Sequence, residues 1–339
     1  MAALAAEEPN PDIASLTSGL KALDVGDENP RVIQELTTEV EEELRAAFAG
    51  VKKLALDAEG VDLGRMGEIS IVQLATPRVC FLFDVLHKGS DDPLVAWLRG
   101  PLEDPMVIKI IHDCRMDSDA LFHLLSITLA NVHDTSCWAT ATLRIDRLLN
   151  LNKTLVEFGL VANTSRDGSV YADNHRFWAS RPLTTQMIEW ASGDVGSMFE
   201  LQERQLGLVM SSSTKLEIEA CAEAMTHDYL TDARSANIAT IQVTNPGRFI
   251  GKGGANLRAL QARTKAMVYG RGRRGSNLFV VYYQSPSALE SVRVAASGHR
   301  RHFSMEHKLQ ATTAVTCVMA AVHVWNKHFS ALIFVARPS

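Results

Sequence analysis

The hydrophobic positions of this chain change their period several times, and each change predicts a different element. From Val32 to Phe48, apolar residues recur at every fourth position, which predicts an amphipathic helix. Three β-rich apolar runs with short connections follow, and such runs predict an antiparallel meander of strands. These runs are 54–60, 69–74 and 79–85.

After the meander, short apolar runs alternate with helical patterns. Strands are predicted at 107–111 and 131–134, and helices at 94–98, at 117–125 and from the second strand to Leu149. Such alternation places parallel strands beside the meander. The sequence therefore predicts an α/β fold in which helices flank a mixed sheet.

The second half of the chain predicts two long helices and then a smaller unit. The first helix runs from Thr184 to Leu206, and the second, from Lys215 to Arg234, is expected to be a connector. Beyond it, the order of elements is β-α-α-β-β-α, which predicts a small α+β unit. Its clearest elements are strands at 266–269 and 278–283 and a helix at 286–296.

Composition adds a reason to expect two units. Of 339 residues, 46% are hydrophobic and 22% charged, which is ordinary for a globular protein. The net charge is −5, yet residues 237–302 hold eleven Lys or Arg and one acid, Glu290. A basic segment joined to an acidic body indicates an anionic partner for that segment. Five widely spaced cysteines favour a reducing compartment over a disulfide framework or a zinc site.

The two ends of the chain carry little information. Residues 1–29 are predicted to form a flexible leader, without the features of a secretory signal or a transit peptide. We therefore expect an intracellular protein, cytoplasmic or nuclear. Within the tail at 303–339, Asn326, Lys327 and His328 separate two apolar runs, 314–325 and 329–336, and neither reaches the ~20 residues of a membrane span. A docking helix or disorder is expected there in preference to a membrane anchor.

Two acids interrupt the first strand of the meander. Asp57 and Glu59 lie two residues apart, and because side chains alternate along a strand, both point to one face. Unpaired buried carboxylates are costly, and oxygen ligands suit Mg²⁺ or Mn²⁺. From these two residues alone, a metal site and a strand end that leads into a polar loop are both open.

Two further acids lie on other elements. Asp117 is expected near a helix N-terminus at the carboxyl end of a strand, where open α/β sheets place their sites. Asp194 lies inside a helix, where its propensity does not favour it. Four acids on three elements provide the oxygen ligands that hydrolysis of a phosphodiester by two metal ions requires.

The motifs around these acids resemble those of the DEDD superfamily of 3′–5′ exonucleases, close to ribonuclease D, the Werner exonuclease domain and the Egalitarian-like group. The motifs are LDAEG (56–60), GEISIVQLA (67–75), HDCRMD (112–117), HDT (133–135) and WASGD (190–194). The resemblance covers residues 30–210 and implies a ribonuclease H-like fold. It also implies that Asp57, Glu59, Asp117 and Asp194 hold two Mg²⁺ or Mn²⁺ ions.

The chain departs from this family beside the last acid. The family places a Tyr four residues before that Asp or a His five residues before it, and these side chains orient or deprotonate the attacking water. Here the two positions hold Trp190 and Glu189. An indole N–H donates a hydrogen bond but cannot accept a proton. Two hypotheses therefore stay open: an active 3′–5′ exonuclease, in which Glu189 is a candidate base, and a catalytically weak or inactive adaptor that binds RNA.

Other polar residues near these motifs have structural interpretations. Asp113 and Asp119 are expected to be capping or solvated residues, and Asp134 is expected to cap the helix that follows it. His112 is expected to be a hydrogen-bonded turn residue.

The basic segment contains the Gly-rich stretch GKGG (251–254), which resembles the Gly-x-x-Gly loop of KH domains. The resemblance to a KH domain of the eukaryotic type covers residues 236–302. In that family the loop clamps the backbone of about four single-stranded nucleotides. The resemblance implies that the glycines let the main chain approach phosphates while a lysine supplies charge. The residues expected to bind RNA are Arg248, Gly251, Lys252, Gly253, Gly254, Arg258, Arg271, Arg273 and Arg274. Single-stranded RNA is the expected partner, with DNA as an alternative, and residues 211–235 are expected to connect the two domains.

Overall fold

The computed structural model of the protein describes residues 29–298, with the exception of residues 146, 273 and 274. The tail predicted at 303–339, nearly all of the predicted leader, and the cations Arg273 and Arg274 therefore lie outside the described residues. Within the described part, no helix is both long and apolar enough to cross a membrane.

A six-stranded mixed sheet forms the centre of the larger part. Its strands are β1 (Arg31–Ile33), β2 (Lys53–Val61), β3 (Glu68–Ala75), β4 (Cys80–Asp84), β5 (Ile108–Ile111) and β6 (Val132–Asp134). They lie in the order β1-β4-β3-β2-β5-β6. Strands β2, β3 and β4 are antiparallel, whereas β1, β5 and β6 are parallel to the strands they pair with. The predicted meander with parallel strands beside it is confirmed.

Helices cover the two faces of this sheet. They are α1 (Thr38–Phe48), α2 (Pro93–Glu103), α3 (Arg115–Leu125), α4 (Thr135–Leu143), α5 (Leu151–Glu157), α6 (Val170–Asp173), α7 (Thr185–Gly196), α8 (Met198–Ser211) and α9 (Lys215–Ser235). Alternate residues of each central strand enter separate hydrophobic clusters: Leu56 and Ala58 pack with α1, α2 and α3, whereas Ala55 packs with α7 and α8. The sheet is therefore buried on both sides.

The first predicted helix needs correction at its start. Val32 is not helical; it belongs to β1 and pairs with Leu82 of β4. The helix begins only after Thr37, whose hydroxyl accepts a hydrogen bond from the Val40 N–H at 3.3 Å. Residues four apart also share a face of a strand, so the spacing is compatible with an edge strand that contains the β-branched Val32. The strand with which it pairs lies 50 residues away, and this pairing leaves no local signal in the sequence.

Two other predicted helices end earlier than expected. The helix predicted to reach Leu149 ends at Leu143, because Arg144 adopts a left-handed conformation with φ 53°. The long helix predicted from Thr184 is two helices, α7 and α8, which meet at Ser197. Helix α5 lies in a stretch for which the sequence predicted no helix.

A smaller unit follows α9. Its elements are β7 (Asn237–Gln242), α10 (Pro246–Ile250), a 3₁₀ turn (Lys252–Gly254), α11 (Ala255–Thr264), β8 (Met267–Gly270), β9 (Leu278–Tyr283) and α12 (Pro286–Ala296). The strands form an antiparallel sheet in the order β7-β9-β8. Phe249, Val281 and Val292 belong to a hydrophobic cluster confined to this unit. The element order is the one predicted from the sequence.

The smaller unit contacts a buried ion pair of the larger part. Asp119 of α3 is completely buried and contacts the Arg65 guanidinium at 2.7 Å. The same carboxylate accepts a hydrogen bond from the Tyr282 hydroxyl of β9 at 3.2 Å. Arg65 also donates to the backbone oxygens of Arg234 and Ala236, where the connector enters β7. The expectation that Asp119 caps a helix or is solvated is wrong, because it is buried, ion-paired with Arg65 and hydrogen-bonded to Tyr282 of the smaller unit.

Candidate active site

Asp57 and Glu59 lie on the face of β2 that α7 covers. They alternate with Leu56 and Ala58, whose side chains enter the cluster on the opposite face. The register with β3 shifts immediately after Glu59, and bulges of this kind re-aim side chains near active sites. Only glycine fits at the position after Glu59, because a Cβ on Gly60 would lie 2.0 Å from a backbone oxygen of β3.

Asp117 and Asp194 reach the same region from two helices. One carboxylate oxygen each of Asp57, Glu59 and Asp194 lie within 4.8 Å of one another. Asp117, in the first turn of α3, accepts a hydrogen bond at 3.0 Å from the N–H of Ala58, between the two strand acids. Asp57, Glu59 and Asp117 line a common cavity of about 270 Å³. The four predicted acids are therefore brought together.

Burial raises the pKa of all four carboxyls, and repulsion between the acids adds to this in Asp57, Glu59 and Asp117. Burial and then the charge of Asp194 raise the pKa of Asp57 to about 7. Burial and the charge of Asp57 raise the pKa of Glu59 and of Asp117 well above the usual range. Burial also raises the pKa of Asp194, although Arg166 opposes it. Arg166 offsets only part of the negative charge of the four acids, and their carboxylate oxygens fit divalent ions such as Mg²⁺ or Mn²⁺.

Two residues that the sequence did not single out hold Asp194. The side-chain N–H₂ of Asn163 donates to Asp194 Oδ1 at 2.8 Å and to the Trp190 backbone oxygen at 3.0 Å. Arg166 Nη1 lies 3.3 Å from Asp194 Oδ2. Both residues belong to a polar stretch without periodicity, so no pattern marks them. The nearest signal is Gly193, where a Cβ would lie 2.7 Å from the Asn163 side chain.

Trp190 is an aromatic core residue that faces Asp194. It is 3% exposed, and its ring packs against Tyr171, Phe177 and Trp178 with centroids 5.5–6.1 Å apart. Its N–H is close enough to lower the pKa of Asp194, but it is outside hydrogen-bonding geometry with any acceptor among the described residues. Glu189 is exposed on α7 and does not line the cavity.

Three neighbouring polar residues have structural roles. Both ring nitrogens of His112 are hydrogen-bonded, at 2.8 and 3.0 Å, as predicted for a satisfied turn histidine, although its side chain also lines the cavity. Asp134 caps α4, as predicted, by accepting from the first backbone N–H groups of that helix. Asp113 was expected to cap a helix or to be solvated, but it forms an ion pair with Arg115 at 2.6 Å.

The glycine loop, residues 251–254, has the backbone that only glycine adopts readily. Gly251, Gly253 and Gly254 have φ of 78°, 56° and 81°. Lys252 and Gly253 are exposed, and nothing lies within 4 Å of the point where a Cβ on Gly253 would be. Arg258 Nη1 donates to the Gly253 backbone oxygen at 2.6 Å, so this predicted RNA-binding cation also stabilises the loop.

The other predicted RNA-binding cations lie apart. Arg248 is exposed and lines a cavity of about 600 Å³ together with Arg263, beside the glycine loop. Arg271, in contrast, donates to the Met66 backbone oxygen at 3.0 Å and therefore contacts the larger part of the protein.

A mixed sheet with four converging acids indicates an α/β protein with a site suited to divalent ions, and comparison with known proteins identifies its family. A family model described as 3′-5′ exonuclease matches residues 33–206, slightly more than half of the chain. The chain belongs to this 3′–5′ exonuclease family. The matched residues end before α9 and the smaller unit.

Individual relatives agree with this assignment. The piRNA biogenesis protein EXD1 of Mus musculus is 28% identical over 226 residues, which are 61% of this chain and 39% of that protein. Ribonuclease D of Gluconacetobacter diazotrophicus is 32% identical over 130 residues, 38% of this chain and 30% of that protein. The chain thus spans about two fifths of the length of the EXD1 proteins of Mus musculus, Homo sapiens and Xenopus laevis.

Solved structures show the same fold. The crystal structure of Trypanosoma brucei RNase D has a TM-score of 0.52 and 27% identity, over 62% of this chain and 74% of that chain. Its complex with RNA U12 has a TM-score of 0.50 and 28% identity, over 61% and 71%. The expected ribonuclease H-like, exonuclease-type α/β fold is confirmed.

Proposed function

We propose that this protein is a metal-dependent 3′–5′ exonuclease that trims single-stranded RNA. The observation that carries the proposal is the convergence of Asp57, Glu59 and Asp194 within 4.8 Å, with Asp117 lining the same cavity as the two strand acids. Four acids with raised pKa, two of them buried and two half-buried, are costly for the fold unless a cation neutralises them.

The four acids are the groups that would hold two Mg²⁺ or Mn²⁺ ions. When bound, such ions supply an activated water and stabilise the leaving 3′-oxygen. Asn163 fixes the orientation of Asp194 through its side-chain hydrogen bond. Arg166 supplies positive charge to the cluster, and a guanidinium at this position is also suited to a phosphate of the substrate.

The smaller unit is proposed to be a KH domain, over residues 236–302, that holds the single strand. The β-α-α-β-β-α order, the left-handed glycines and the exposed Lys252 support this assignment. In this proposal residues 30–210 form the exonuclease domain and residues 211–235 the connector. That the RNase D of Trypanosoma brucei has been crystallised with RNA U12 supports RNA as the substrate in preference to DNA.

A second candidate function is an RNA-binding adaptor without hydrolysis. Trp190 favours it, because the indole cannot accept a proton from water. The ion pair between Arg166 and Asp194 favours it too, since a protein cation already offsets part of the negative charge.

The deciding experiment follows a 5′-labelled single-stranded RNA with Mn²⁺ and with EDTA. The exonuclease predicts a ladder that shortens from the 3′ end, only with metal, and that stops when the 3′-hydroxyl is blocked. Binding of the RNA without shortening at any Mn²⁺ or Mg²⁺ concentration favours the adaptor. If the protein neither binds nor shortens the RNA, both functions are overturned. The same assay on the matching DNA strand measures sugar preference.

A further inference from the structure

One wall of the cavity that holds the acids comes from the smaller unit. Tyr269 of β8 lines this cavity together with Asp57, Glu59 and Asp117. Its side chain is half-buried, so part of the phenol ring faces the cavity. A residue that follows the connector and the glycine loop therefore lies at the acids of the larger part.

Two residues that follow Tyr269 in sequence, and the Tyr269 ring itself, make contacts that hold strand β8 in place. Arg271 donates to a backbone oxygen in the turn between β2 and β3 at 3.0 Å, and the Gly272 N–H donates to Asp62 in the same turn at 3.2 Å. The Tyr269 ring makes an edge contact with Tyr282, with centroids 5.9 Å apart. The hairpin of β8 and β9 is thus attached to the turn that follows the strand acids.

The Tyr269 hydroxyl is weakly engaged. Among the described residues its hydrogen-bond partner is the sulfur of Met267 at 3.7 Å, and a thioether is a weak acceptor. Burial raises the pKa of Tyr269 to about 12, with Arg115 opposing and Asp113 adding to the shift. The ring is therefore an uncharged aromatic surface beside a strongly acidic cluster.

We propose that Tyr269 stacks on the 3′-terminal base of the bound single strand, so that the substrate cavity is built from both parts of the protein. This inference rests on the proposed function. Stacking on an aromatic ring is tolerant of sequence, as trimming of successive nucleotides requires. A cavity of about 270 Å³ lies just below the range of small-molecule pockets, about 300–1,000 Å³, which suits one unpaired nucleotide.

The test uses the full chain in EDTA, so that no hydrolysis occurs, and a short single-stranded RNA with 2-aminopurine at its 3′ end. Stacking quenches this base, and anisotropy of a 5′-fluorescein reports affinity independently. We expect quenching by the wild type and by Tyr269→Phe, which keeps the ring. Tyr269→Ala should lose most of the quenching and weaken binding by about fivefold.

A matched control separates stacking from damage to the joint. Tyr229 lies in the same region, with Arg115 4.7 Å above its ring, but it does not line the cavity. Tyr229→Ala should therefore quench the 3′ base as the wild type does. If Tyr269→Ala does not fold, a 3′-terminal 4-thiouridine should crosslink to residues 267–270 of the wild type, and crosslinks elsewhere contradict the inference.

The outcomes distinguish this inference from the proposed function. Equal quenching by the wild type and Tyr269→Ala, or equal loss in Tyr229→Ala, overturns the stacking role while hydrolysis by the wild type stands. A wild type that neither binds nor shortens RNA overturns the proposed function and the inference with it.

Discussion

The carboxylate cavity and the glycine loop present their charges in opposite ways. The acids are held on β2, α3 and α7, and Asn163 ties one of them in place. The glycine loop is exposed, and its function depends on open backbone and on the charge of Lys252. Chemistry requires groups preorganised to a fraction of an ångström, whereas a grip on phosphates requires close approach of the main chain. The first region should therefore be sensitive to single atoms, and the second to charge and bulk.

The largest expected effect comes from the cavity. Asp57→Asn removes one anionic ligand while keeping the side-chain shape, so Mn²⁺-dependent hydrolysis should fall by at least about 100-fold. Single-turnover rates on labelled RNA measure the loss, and circular dichroism checks the fold. Asp91→Asn, at an exposed acid, is the control and should keep the wild-type rate. Hydrolysis that survives in the double variant Asp57→Asn, Glu59→Gln would show that another site is responsible.

Charge reversal in the glycine loop should have a smaller effect. The double variant Lys252→Asp, Gly253→Asp places two negative charges where phosphates are expected, so affinity for a short RNA should fall about 10-fold, or ~1.4 kcal/mol. Fluorescence anisotropy at fixed salt measures it.

The chain offers a closely matched control for this variant. Gly50 also has a positive φ, 69°, with nothing within 4 Å of a Cβ, and Lys52 is exposed. The double variant Gly50→Asp, Lys52→Asp changes the net charge equally and should bind RNA as the wild type does. An unchanged affinity of the Lys252 variant would refute the loop as a binding site.

Trp190 tests whether the cavity lacks a partner for water. Trp190→Tyr supplies a hydroxyl beside Asp194, and because acid–base assistance is typically worth about 10²–10⁴-fold, even a part of it should raise the rate several-fold. The competing hypothesis gives this task to Glu189, and then Glu189→Gln should be the damaging change. We expect little effect of Glu189→Gln, since that side chain is exposed. Single-turnover rates of both variants decide, and no change in either would contradict both accounts of water activation.

The smallest effect is a dependence of stability on pH. The folded protein raises the pKa of Asp57 from 3.8 to about 7, so without metal it binds a proton that the unfolded chain releases. This stability is complete below the unfolded pKa and is lost as the pH rises through about 7. The melting temperature in EDTA should therefore fall by a few degrees between about pH 5 and about pH 8, and by less in Asp57→Asn. Mn²⁺ should restore it at pH 8, and a flat profile would contradict the raised pKa.

Local signals allowed the most accurate sequence predictions. Strand β9 and helix α12 have the predicted bounds, because Ser285 and Pro286 punctuate the chain between them. The strand acids Asp57 and Glu59 share a face for the same reason, since alternation along a strand is a property of the strand itself.

Features that depend on distant residues could not be predicted. Strand β1 exists only because β4 offers an edge, and Arg166 approaches the acids only because the preceding loop folds back over α7. Asp119 follows the polar Ser118 in sequence, yet its partner Tyr282 lies 163 positions away. Such pairings leave no periodic trace in the chain.

The buried joint of Arg65, Asp119 and Tyr282 has a thermodynamic consequence for the whole molecule. Undocking the smaller unit would remove the Tyr282 hydroxyl from a charged carboxylate, and a hydrogen bond to a charged group contributes about 1.5–3 kcal/mol. That is a sizeable fraction of the 5–15 kcal/mol by which an ordinary domain is stable. The two parts should therefore unfold in one cooperative thermal transition. A change that destabilises one part should also lower the folded population of the other.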